Sequence, residues 1–168
     1  MKVSSVFAEG MEAIERRIKN KASNFYADLA TKNVQRSTFA VTGTVDEIAK
    51  GLNLEIKELF TRLHQLRICS AELKVIRNDL YSFVDKMFGE WKEVLIKRNV
   101  YKIGGEQYHE QFVNNRVTEV KVNINLEFLI VMEKIKARRR QLVWDISKIG
   151  ITAIVGGFIG AYIKSFFP

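Results

Sequence analysis

From Ile149 to Ile163 the chain runs fifteen residues without a charge, and with Lys164 counted the apolar stretch reaches Phe167, nineteen residues in all. As helix that length is roughly 28 Å, close to the thickness of a bilayer's hydrocarbon core. Lys134, Lys136, Arg138, Arg139 and Arg140 stand just before it, where cations meet anionic lipid head groups. Trp144 and Tyr162 lie near its two ends, as interfacial aromatics do, and Lys164 is placed to snorkel. By the positive-inside rule the basic side is cytoplasmic. The expectation is a single-pass membrane protein with a cytoplasmic N-terminus, a basic juxtamembrane helix over 125–148 and a transmembrane tail anchor over 149–168. The competing reading is a helix buried in a soluble assembly, because fifteen uncharged residues suit either.

Small residues are ordered within this run. Thr152, Gly156 and Gly160 are spaced by four, and so are Ala153, Gly157 and Ala161. Two adjacent rows of small side chains make a groove in which helix backbones approach closely, the main route to association in lipid. The pattern resembles glycine-zipper tails, and the resemblance implies a homo-oligomer.

The formal charge is +8, and residues 134–168 hold seven basic side chains against one acidic. An excess so placed points to a membrane surface rather than to nucleic acid. Cys69 is the single cysteine, which excludes an intrachain disulfide and a CxxC metal site. The apolar run from Val3 to Ala8 is too short for a secretory signal.

One proline in 168 residues favours long helices. Over residues 1–43, Phe7, Met11, Ile14, Ile18, Ala22, Phe25 and Leu29 recur at steps of three and four, a helical stripe followed by a connection at 36–43. Over 44–98, Thr44 and Glu47 have the form of a capping box. A short helix from Val45, interrupted at Gly51 and Asn53, is then followed by one long helix from Glu55 to Arg98. Its seam is Leu59, Leu63, Leu66, Leu73, Leu80, Val84, Met87 and Trp91. Leucine at successive d positions resembles a leucine zipper, but Phe60, Ile76, Phe83 and Phe88 widen the stripe. A stripe that wide packs against two neighbours, so the fold class is mainly α, a long coiled coil or helical bundle.

Residues 99–124 read as a small β element near 100–124. Gly104-Gly105 suits a hairpin turn, Asn114-Asn115 another, and Val120, Val122 and Ile124 alternate as in a strand. Residues 45–59 resemble a helix-turn-helix with Asn53 at the turn. The following stretch, 55–66, balances Lys57 and Arg62 against Glu55 and Glu58, and zero net charge argues against DNA. Arg77 and Arg139 fall on apolar seams, where they either pair with carboxylates such as Asp79 or Glu133, sit where the seam opens and set register, or expose the guanidinium over a buried stem. Glu106 and His109 have ExxH spacing, but a di-iron centre needs two such pairs, so no metal or cofactor is expected. No catalytic constellation or phosphate loop appears, and no enzymatic activity is expected. The function class is a membrane scaffold, tether or adaptor holding a protein partner at the bilayer. The alternatives are a pore-forming effector and a membrane-tethered DNA-binding regulator.

Overall fold

The stripe of the first helix forms as its spacing predicts: Phe7, Ile14, Ile18, Ala22 and Leu29 are buried. In the computed structural model, backbone is described for residues 3–66 and 68–166 and side chains for 7, 9–66 and 68–155. Four helices follow in order, α1 Val3–Thr31, α2 Thr38–Leu63, α3 Ser70–Lys97 and α4 Glu106–Phe166. The chain divides into two units, residues 1–129 and 130–168.

Residues 1–129 form an up-down-up-down helical bundle, whose directions follow from its cross-helix contacts. Arg17 meets Glu55 and Phe25 meets Phe39, so α1 and α2 are antiparallel. Lys92 meets Glu110 and Lys121 meets Asp85, so α3 and α4 are antiparallel too. Glu15 with Lys86 and Asn53 with Asn123 lie 71 and 70 residues apart, setting α1 parallel to α3 and α2 parallel to α4. Leu63, Leu73, Leu80, Val84, Met87 and Trp91 are buried in this intrachain core, Leu59 is half-buried and Leu66 is exposed.

Three local expectations are corrected. First, α2 starts at Thr38, not Val45. Ser37 is its cap, accepting the Ala40 N–H at 3.2 Å, while the Thr44 hydroxyl donates to the Ala40 carbonyl inside the helix. The poor helix formers of this stretch are overruled by burial of Ala40, Val41, Gly43 and Val45. Gly51 and Asn53 do not break α2 either, so there is no helix-turn-helix corner. Asn53 instead accepts a hydrogen bond from Asn123.

Second, the long helix is two. The chain reverses over 64–69, and α3 opens on a capping box in which Cys69 Sγ accepts the Glu72 N–H and the Glu72 carboxylate accepts the Cys69 N–H. Third, no strand exists among the described residues, and residues 106–124 are the start of α4. Val120 and Ile124, one turn apart, are buried while Val122 is exposed, as helical and not strand geometry requires. Asn114-Asn115 lies within the helix.

Gly104 and Gly105 do adopt positive φ, 84° and 106°, but in the connection from α3 to α4. A Cβ at Gly104 would also run into the Thr38 hydroxyl. Both α1 and α3 end alike: Asn33 and Asn99 sit in the left-handed region, and Val34 and Val100 donate to the carbonyls of Leu29 and Leu95. This is the six-to-one bond of a Schellman turn.

Gly104→Ala should destabilise the chain by about 2 kcal/mol, from backbone strain and the clash together. Adding Thr38→Ala should recover part of the loss, read from thermal unfolding by circular dichroism. Equal stability of Gly104→Ala and the parent chain would contradict this geometry.

Candidate functional site

The two units place polar and apolar groups in opposite ways. In residues 1–129 six ion pairs among the described residues cross between helices. Glu55 is buried, and both its oxygens accept from Arg17, Oε1 from Nε at 2.7 Å and Oε2 from Nη2 at 2.6 Å. That fork holds the Glu55 carboxyl below the usual carboxylate range against the opposing effect of burial. Glu15 bridges Lys19 and Lys86, and Lys19 also reaches Glu90 at 2.7 Å.

A second polar group closes the α3–α4 connection. Tyr101 donates its hydroxyl to Glu110, which Lys92 also contacts. Burial, reinforced by Glu110, pushes the Tyr101 phenol up, while Lys92 first and Tyr101 second draw Glu110 down. His109 is fully buried, with Nε2 2.7 Å from the Ile103 carbonyl. That nitrogen therefore carries the proton and donates, leaving Nδ1 with no partner among the described residues. Reading 99–124 as strands hid this cluster. The signal available was the helical step from His109 and Val113 to Val120 and Ile124, all buried.

Arg77, for which a carboxylate partner was one of the alternatives, lies over the Phe128 ring at 4.5 Å and near Tyr81 at 5.9 Å. Aromatic faces, and neither Asp79 nor Glu133, receive its charge. Among the described residues no group of three or more His, Cys, Asp or Glu side chains converges as metal ligands would.

In residues 130–168 the basic set Lys134, Lys136, Arg138, Arg139 and Arg140 is exposed on helix. Glu133 accepts from Lys136 at 2.7 Å and has Arg140 at 3.8 Å, which draws its carboxyl down. Beyond this set many large apolar residues are exposed, with Asp145 and Lys148 as exposed charges among them. Leu142, Val143, Trp144, Ile146, Ile149, Ile151, Ile154 and Val155 each have half or more of their surface open, up to 71% at Ile149. The hydroxyls here are turned inward, Ser147 donating to the Val143 carbonyl and Thr152 to the Lys148 carbonyl. Lys148 lies 5.4 Å from the Trp144 ring centroid.

Among the described residues no helix is long and apolar enough to cross a membrane. Thr152 and Ala153 of the small-residue face are described and exposed, whereas Gly156, Gly157, Gly160 and Ala161 lie outside the described side chains. No family model, curated protein or solved structure matches the chain.

The Arg17–Glu55 fork predicts a pH dependence. Because the folded-state carboxyl sits below its ordinary 4.5, the pair's stabilisation is complete above that pH and is lost as pH falls through the depressed value. Urea midpoints of the parent chain and Glu55→Gln should therefore differ most near neutrality and converge in acid. At neutrality Arg17→Ala, which strands a buried carboxylate, should cost about 1–3 kcal/mol.

Proposed function

We propose that the protein is a membrane-anchored scaffold or tether whose helical bundle faces the cytoplasm and holds a protein partner at the bilayer. One observation carries this reading: from Leu142 to Val155 eight large apolar side chains stand open on the helix, with Asp145 and Lys148 the charged residues among them, directly after the exposed cations of 134–140. Apolar side chains exposed at this density need lipid or other chains around them, since water opposes so large an exposed patch. Cations ahead of it favour lipid, where they meet head-group phosphates.

The inward-bonded hydroxyls of Ser147 and Thr152 support the same reading, because a hydroxyl already donating to its own helix loses little on leaving water. The uncharged sequence continues to Ile163, with small residues at 152, 153, 156, 157, 160 and 161 providing a face for self-association. The leucine seam, by contrast, is used within the chain, so assembly falls to the tail rather than to a zipper.

Carbonate extraction of membranes containing the full chain should leave it in the pellet, while a chain ending at Gln141 should be released. Release of the full chain would remove the anchor and favour a helix packed in a multi-chain assembly. In detergent, Gly157→Leu should lower the crosslinked oligomer fraction without changing the helical content.

A further inference from the structure

The loops that follow α1 and α3 bound an open pocket of about 500 Å³, lined among others by Ser23, Tyr26, Gln35, Arg36 and Arg98. Two features mark its chemistry. Its lining contains no carboxylate. Its two guanidinium groups, moreover, both line this pocket and form no ion pair with any described residue.

Arg98 is also held in place. Its guanidinium carbon lies 4.1 Å from the centroid of the Tyr26 ring, and that ring is buried. Arg36 stands in the short connection immediately before the Ser37 cap of α2. Two helix C-termini nearby would oppose an anion. Their terminal carbonyls, however, already accept from Asn33, Val34, Asn99 and Val100. The guanidinium charges are full and uncompensated, so they dominate.

We propose that this pocket binds the phosphoryl group of a phosphorylated ligand through Arg36 and Arg98. A carboxylate occupies one arginine fork; a phosphoryl dianion has oxygens for two, and charge to match both. Ser23 and Gln35 add neutral donors at the same wall. The phosphoryl group can belong to a water-borne compound or to a lipid head group, since the pocket reads the same chemistry in each. The inference is independent of the membrane reading.

The test is calorimetric titration of the full chain in neutral detergent micelles at constant ionic strength. One arm uses inorganic phosphate and pyrophosphate; the other uses micelles doped with phosphatidic acid. Saturable binding is expected, weakened about tenfold or more by Arg36→Gln and by Arg98→Gln, in line with the loss of a charge-assisted contact. Arg16→Gln, on α1 outside the pocket lining, should leave it unchanged. Saturation by the soluble phosphates identifies a water-borne ligand, and Arg36-dependent binding to doped micelles alone identifies a head group. Arg36 makes no hydrogen bond to any described residue, so its variant tests the pocket even if Arg98→Gln unsettles the end of α3. Absence of saturable binding in both arms, or binding that the Arg36 and Arg98 variants leave at parent strength, overturns the proposal.

Discussion

Four amphipathic helices can hide their apolar stripes from water only if the chain turns back on itself three times, and each reversal must account for backbone groups that lose their helical partners. The bundle of residues 1–129 meets that demand with a few side chains. Ser37 caps α2, Cys69 and Glu72 cap α3 reciprocally, and left-handed asparagines at 33 and 99 close α1 and α3. The buried positions of α3, from Leu73 to Leu95, face two neighbours at once because those reversals bring α1 and α4 alongside it. Most cross-helix ion pairs lie at the rim of a core that is apolar apart from Thr44, Glu55 and His109.

Much of this architecture was legible in the sequence, because a helical stripe is a local pattern. The first helix and the wide stripe of α3 emerge from spacing alone. The reversals were harder to read for a physical reason. Leu59, Leu66 and Leu73 keep a seven-residue step straight across the break at 64–69, and the cap there is a cysteine, a weak acceptor that sequence rules for caps omit. The strand reading failed because Val120, Val122 and Ile124 fit both periods, and only the burial of 120 and 124 against exposure of 122 separates them. Gly104-Gly105 was correctly read as needing positive φ, which fits a helix connection as well as a hairpin.

The candidate sites divide in the same way. The basic set and the apolar run before Val155 are continuous in sequence, so sequence alone locates them; their exposure is what the structure adds. The Tyr101–Glu110–Lys92 group and the pocket of Arg36 and Arg98 join residues from different elements, and no spacing rule brings such residues together. Arg77 illustrates the limit in reverse. Its place on the apolar seam was plain, but the ring that receives it, Phe128, belongs to a helix whose beginning had been read as strand.

The pairing of α1 with α2 and of α3 with α4 also has a kinetic meaning. Each pair is a helical hairpin whose partners lie close along the chain, as Arg17 and Glu55 do at 38 residues, and such low contact order favours folding in microseconds to milliseconds. Synthesis proceeds at about 5–20 residues per second. On that schedule the first hairpin has time to form before the rest of the bundle has been made.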